Sequence, residues 1–279
     1  MLATEYKVRK SGQLNTPDFR IHFQGGGVPI SSWHDIPLYV NHERSILNMI
    51  VEIPRWSNAK YEISRSEPLN PIQQDTRNGT MRFVHNIFPF KGYIWNYGAL
   101  PRTWEDPSHV FRETDTYGDN DPLDALEIGE QVGYPGQIKQ VKVIGVMLLL
   151  DEGETDWKVL VIDINDPLAP KLNSTEDVRM YYKVPDGKPE NKAAFAGQFK
   201  EKDYATKVIQ DCNESWDRLI SNSAKHEGIS LSNATVADSP HKIISRYLHD
   251  HLVETSPPAR VQEHIDKFSY LHKSLKESV

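Results

Sequence analysis

The chain has 279 residues, 38% hydrophobic and 25% charged, an ordinary balance for a globular protein with ample material for a core. Its formal charge of −7 at pH 7 disfavours a nonspecific hold on nucleic acid or anionic lipid, and no apolar run reaches the ~18 residues of a membrane-crossing helix. A single cysteine, Cys212, excludes an internal disulfide, and the opening MLATEYKVRKSGQ has no apolar signal core, so the expected location is the cytoplasm.

Residues 1–45 read as an N-terminal extension of short apolar pieces and turns. Gly25-Gly26-Gly27 is a loop tip, because no Gly-Lys-Ser/Thr follows to make a phosphate-binding loop. From Leu47 to Ile63 the text LNMIVEIPRWSNAKYEI alternates with period two on both sides of Ser57-Asn58. That pattern predicts a β-hairpin with Lys60 and Glu62 on one face and Glu52 across from them. Residues 68–80 are loop-like. The aromatic run from Phe83 to Trp104 predicts a strand and a loop packing rings into a core. Arg82 opens that run, and Tyr93 and Tyr97 carry hydroxyls that need partners when buried; a phosphate oxygen could serve.

Gly118–Glu127 reads GDNDPLDALE. Its aspartates, Asp119, Asp121 and Asp124, are spaced by two and three around Pro122, which aims three carboxylates into one small volume. Carboxylates that close raise one another's pKa and need compensation. An all-oxygen donor set suits Mg²⁺ or Mn²⁺. Residues 138–164 then predict strand, acidic hairpin loop DEGETD, strand, with Asp151 and Asp156 bracketing the loop and Lys158 two residues on. Two acidic turns make a shared metal site more plausible than either alone.

Tyr182 and Lys183 follow in YYKVPDGKPENKAAF. Residues 199–221 predict an amphipathic helix, with Cys212 a core residue on its apolar stripe. Beyond Ser221 the text turns polar; Val261, Ile265, Phe268 and Leu271 predict one short helix, and His249 and His251 are exposed rather than zinc ligands. The expected organisation is one domain over residues 1–221 and a partly ordered polar tail over 222–279.

The inventory sets Glu52, Glu62, Asp119, Asp121, Asp124, Asp151 and Asp156 against Lys60, Arg82, Lys158 and Lys183. Gathered without metal, the acidic side would repel prohibitively. With divalent cations bound it attracts a small polyanion, and metal-assisted hydrolysis of a phosphoanhydride follows. Three rivals fit worse. An EF-hand starting at Asp119 would have Asp124 in place of its glycine, with Pro122 intruding. A glycosidase has no use for the lysines, and an oligonucleotide-binding barrel wants a basic groove.

The stretch GDNDPLD, with VEIPRWSNAKYEI, GYIWNYGALPRTWEDP, LLDEGETDWKV and YKVPDGKPEN, resembles the family I soluble inorganic pyrophosphatases of eukaryotic type over roughly residues 30–220. The resemblance implies a mainly β protein: a five-stranded, OB-like β-barrel with helices packed around it, usually a homodimer. It also implies pyrophosphate as substrate and several Mg²⁺ ions per subunit, with Mn²⁺ or Zn²⁺ as substitutes. Asp119, Asp124 and Asp156 would hold the first metal, with Asp124 bridging to a second. Asp151 and Asp156 would serve a third, and Glu62 a fourth. Asp121 would be the general base for a metal-bridged water. Lys60, Arg82, Tyr97, Lys158, Tyr182 and Lys183 would grip the phosphates, supported by Glu52, Asp75 and Tyr93.

One departure stands out. In the family, a helix-bearing segment precedes the Tyr-Lys pair, whereas here Glu176-Asp177-Val178 runs almost straight into Tyr181-Tyr182-Lys183. Over a dozen residues are missing, about 20 Å of rise if helical. The alternative expectation is therefore a catalytically impaired pyrophosphatase-like binding or complex subunit.

Overall fold

The alternating and continuous apolar runs become strands in the computed structural model, which describes residues 5–173, 175, 192–193, 199–225, 228–243, 257–261 and 263–269. In chain order, β1 (Tyr6–Ser11), β2 (Arg20–Gly25) and β3 (Val28–Ile30) come first, followed by β4 (Leu47–Ile53), β5 (Tyr61–Ile63) and β6 (Ile72–Gln74). A ribbon of β7 (Thr76–Arg77) and β8 (Thr80–Met81) leads to β9 (Asn86–Ile87) and β10 (Asn96–Ala99). A second ribbon, β11 (Val110–Phe111) with β12 (Thr116–Tyr117), precedes β13 (Asp124–Glu127) and the long pair β14 (Ile138–Asp151) and β15 (Glu154–Asp163). Then come β16 (Lys192–Ala193), β17 (Lys200–Glu201), helix α1 (Lys202–Ile220) and β18 (Phe268–Ser269).

Five of these strands close a barrel. β15, β13, β10, β4 and β14 lie side by side in that order, and β14 returns to pair with β15. Within this barrel only the β13–β15 pair runs parallel. β14 closes the ring because it is long: Ile138–Val141 ladders with β4, and Val141–Asp151 with β15. Closure removes the free edges that an open sheet would expose. Gly98 permits the tight approach of β10 to β4, since a Cβ there would lie 1.9 Å from the Ile50 carbonyl oxygen. The barrel is the expected one, and among the described residues a single α-helix, α1, flanks it.

Period two along β15 shows how the barrel positions a site. Leu160 and Ile162 join one core cluster with Ile50, Tyr97 and Leu126, and Asp156 and Lys158 continue the same face toward the start of the strand. Trp157, Val159 and Val161 face the other way, against Ala205, Val208, Ile209 and Cys212 of α1. That face thus has an apolar floor and a polar mouth. At the far end of these strands from the mouth, Lys139 bonds Asp163 at 2.8 Å and lies 3.6 Å from Glu127, whose carboxylate also accepts from Asn96 at 2.7 Å. These buried charges are paired, as the interior requires.

Helix α1 and the strand–turn–strand at 138–164 match expectation, and Cys212 is buried on the helix. The hairpin expected over 47–63 does not form. Both strands exist, but β4 pairs with β10 and β14, whereas β5 pairs with β6 in a separate sheet. The connection breaks at Pro54, which cannot donate, and at Trp56, whose φ of 65° turns the chain out of the sheet. Glu52 bridges the gap by accepting the Ile63 N–H at 2.6 Å. The aromatic run is also split: Tyr93, Tyr97 and Trp104 are buried, but Phe88 and Phe90 are exposed.

The polar stretch after Ser221 carries core residues. Ile229, Leu231 and Val236 join the main apolar cluster. Asp35 accepts the backbone N–H groups of Ala234 and Thr235, fastening the segment. The short helix expected around Val261–Leu271 is instead a 3₁₀ turn at Glu263–Asp266, after which Phe268 enters β18 beside β9; Leu271, His249 and His251 lie outside the described residues.

Candidate active site

The polar mouth opens into a pocket of about 310 Å³. The turn before β13 contributes Asp119 and Asp121, β13 itself Asp124, and the β14–β15 hairpin Asp151, Glu152, Asp156 and Lys158. The hairpin turns on Glu152 (φ 54°) and Gly153 (φ 98°), the two-residue turn with both centres in positive φ that matches strand twist. In its register Asp151 faces Glu154 and Leu149 faces Asp156, so Asp151 and Asp156 share a face. Glu52, Lys60, Glu62, Arg82 and Tyr97 complete the wall from β4, β5 and the strands beside them.

Lys158 sits at the centre, buried, donating to Asp124 and Asp156 and lying 3.1 Å from the Tyr97 hydroxyl. The Tyr97 hydroxyl in turn donates to Asp124. On the opposite side Lys60 pairs with Glu62 at 3.0 Å and lies 3.7 Å from Asp75, which also binds Arg82. The residues expected to form a site are therefore brought together, with three exceptions. Tyr93 does not line the pocket but packs behind Tyr97, ring centroids 5.1 Å apart. Tyr182 and Lys183 lie outside the described residues.

Eight carboxylates line the pocket against four basic side chains, so its acidic groups are hard to ionise together. Removal from bulk water, then the nearby Asp121 and Asp156, hold the Asp119 carboxyl well above the usual range. Asp121 is pushed up to about 6 by the same desolvation, against the pull of Arg65, whose guanidinium lies 3.4 Å away. Burial, then Asp124, raises Glu52.

Glu105 belongs to this cluster although its sequence position gives no sign of it. It is fully buried, and one carboxylate oxygen accepts the Trp157 N–H at 3.1 Å while the other has no hydrogen-bond partner. Burial, then Asp119 and Asp156, raises its pKa well above the usual value. Ligand oxygens of Glu105, Asp119 and Asp156 lie within 4.8 Å of one another. An orphaned carboxylate oxygen beside two more carboxylates is a donor set fit for a hard divalent cation. Arg65 and Arg77 were likewise not foreseen.

A closed barrel whose acidic mouth is fit for hard cations, with basic groups at its edge, is the architecture of a metal-binding site beside an anion-binding one. The family model described as inorganic pyrophosphatase matches residues 49–217. An inorganic pyrophosphatase of Neurospora crassa is 54% identical, with 97% of this chain and 98% of that protein aligned. One of Emericella nidulans is 55% identical over 95% of this chain and 98% of its own length. The solved inorganic pyrophosphatase of Schistosoma japonicum superposes with a TM-score of 0.90 at 40% identity, covering 95% of this chain and all of that one. The chain belongs to the inorganic pyrophosphatase family. The Neurospora alignment spans 289 residues but takes in 97% of these 279, about 271, so about 18 positions lie opposite no residue here.

Proposed function

We propose that this protein hydrolyses inorganic pyrophosphate to two phosphates, an inorganic diphosphatase dependent on Mg²⁺, with Mn²⁺ or Zn²⁺ able to substitute. The observation that carries the reading is the convergence of the 118–124 aspartates and those of the β14–β15 hairpin on one pocket with Lys158. Asp119, Asp124 and Asp156, with Asp151 and Glu62, are the residues assigned to hold the cations, and Glu105 joins them on its orphaned oxygen. Bound cations supply the positive charge that neutralises this wall and acidifies a water.

Asp121 receives the proton of the attacking water. Burial raises the Asp121 carboxyl to about 6 before any cation binds, which makes it a stronger base than an ordinary carboxylate. Lys60 and Arg82 hold phosphate oxygens from the edge, Arg82 through a fork matched to phosphate, with Asp75 orienting both. Lys158 and the Tyr97 hydroxyl hold the opposite end, Tyr93 supports the Tyr97 ring, and Tyr182 and Lys183 are assigned, with them, to gripping the phosphates. Glu52 fixes β5, and hence Lys60 and Glu62, through the Ile63 N–H.

The same reading makes the protein a cytoplasmic homodimer, with residues 1–221 as the barrel domain and the following segment as its tail. The impaired-subunit alternative rests on the shortened segment before Tyr182; the complete set of pocket carboxylates and the identity across the rest of the chain weigh against it. Phosphate release from pyrophosphate by the purified chain, with Mg²⁺ and with EDTA, separates the two. Metal-dependent turnover abolished in Asp121→Asn supports the enzyme; a folded, Mg²⁺-binding chain without turnover overturns it.

A further inference from the structure

Among the described residues the Asp121 carboxylate has one ion-pair partner, Arg65, whose Nε lies 3.4 Å from Asp121 Oδ1. The same guanidinium places Nη1 3.5 Å from the Asp119 carbonyl, so one planar group touches both ends of the Asp119–Asp121 turn. The backbone of that turn is fixed from its inner side. Asn120 donates to the Glu105 carbonyl and Glu105 to the Asp121 carbonyl, each at 2.9 Å, and the Trp104 indole holds the Asn120 side chain at 3.0 Å. These bonds leave the Asp121 side chain to rotate, half-exposed at the pocket mouth. Arg65 is the group that restrains it.

Arg65 is itself built in from behind. It stands two residues past the end of β5, in a loop that closes on the fully buried Asn70. The Asn70 amide nitrogen reaches the carbonyls of Ser64, Arg65 and Ser230 at 3.1, 3.4 and 3.1 Å, and its oxygen accepts from the Ser31 hydroxyl at 2.7 Å. From the segment after α1, the Ser230 N–H donates to the Arg65 carbonyl at 2.6 Å. The backbone of Arg65 is thus pinned by two separate parts of the chain, and its side chain spans from there to the acidic turn. Arg65 does not line the pocket, and among the described residues it pairs with none of the carboxylates assigned to the cations. Neither phosphate nor cation binding accounts for it. A half-exposed ion pair also adds little to stability, so loss of the side chain reads out in turnover rather than in melting.

We propose that Arg65 is a positioning residue, holding the Asp121 carboxylate toward the water that it deprotonates; this rests on the pyrophosphatase reading. A base must meet its proton within hydrogen-bond reach, and a displacement of ~1 Å can cost ~10²-fold in rate. Steady-state hydrolysis of pyrophosphate at saturating Mg²⁺ by Arg65→Ala, Arg65→Lys, Asp121→Asn and the Arg65→Ala/Asp121→Asn double variant tests it. Arg65→Ala is expected to lose about tenfold in kcat with KM within about twofold of wild type and the melting temperature kept. Arg65→Lys, which retains the charge but not the fork, should recover part of that loss. In the Asp121→Asn background, read at high enzyme concentration, Arg65→Ala should change kcat by no more than about twofold, because the carboxylate it positions is gone. An unchanged kcat in Arg65→Ala, or the same loss with and without Asp121, overturns the proposal. A rise in KM at constant kcat overturns it as well, since Arg65 would then act on binding. Absence of turnover in the wild-type chain fails the pyrophosphatase reading and this role together, whereas wild-type turnover with an indifferent Arg65 fails this role alone.

Discussion

Among the single residues, Asp121 and Glu105 divide the labour of the acidic cluster. Asp121→Asn keeps the size and the backbone turn but removes the base, so kcat is expected to fall ~10²–10⁴-fold with pyrophosphate binding retained. Bound cations lower the pKa of a neighbouring carboxylate, so the acid limb of the wild-type rate–pH profile should fall at or below about 6. Glu105→Gln tests a different quantity. Its amide oxygen can still accept the Trp157 N–H, while the charge next to Asp119 and Asp156 is gone. The Mg²⁺ concentration for half-maximal activity is expected to rise ~10-fold with kcat at saturation largely kept; an unchanged requirement would remove Glu105 from the metal site. Asp119, Asp121 and Asp124 were legible in the sequence because their spacing alone forces them together. Glu105 was not, because it reaches them through tertiary backbone bonds, its N–H donating to the Asp121 carbonyl at 2.9 Å and its own carbonyl accepting from Asn120 at 2.9 Å. Tyr93 and Tyr97 show the converse limit: both are aromatic, four apart and buried, yet only Tyr97 lines the pocket.

At the scale of elements, the β14–β15 hairpin sets where Asp151 and Asp156 stand. Gly153→Ala forces a Cβ into a φ of 98°, which costs about 1–2 kcal/mol even though space is open there. Gly26→Ala, at φ 58° in the β2–β3 turn with equally open space, is a matched control remote from the pocket. Both variants should lose a few degrees of melting temperature, but only Gly153→Ala should also weaken Mg²⁺ activation. Equal effects on activation would show that the turn serves stability alone. This hairpin and α1 were legible because local pattern determines them: an acidic turn between two apolar runs, and an apolar stripe at spacings of three and four. The false hairpin over 47–63 had the same local pattern. What broke it was long-range competition, because β4 finds both neighbours, β10 and β14, inside the closing barrel and leaves no edge for β5.

Across the whole molecule, the segment after α1 is bound into the fold through His34. Its Nδ1 accepts from the Trp216 indole N–H at 3.0 Å, and its Nε2 donates to the Ser230 carbonyl at 3.0 Å, so one imidazole joins the helix to the following segment. Both bonds are made by the neutral ring, and burial lowers its pKa from 6.5 to about 4. The unfolded chain takes up this proton near 6.5 and the folded chain only near 4, so the stability His34 contributes is complete above 6.5 and is lost as pH falls through about 4. At ~1.4 kcal/mol per unit the window spans ~3 kcal/mol. His34→Gln places a donor and an acceptor at the same position with no proton to gain. It is expected to be less stable than wild type at pH 7.5, with the gap narrowing steadily toward pH 4.5 in denaturant melts. Comparing the two proteins at each pH cancels the active-site carboxylates, whose raised pKa values act in the opposite sense, favouring the folded state as pH falls. A gap that stays constant with pH would mean that the histidine serves as a spacer and that its protonation plays no part in holding the segment.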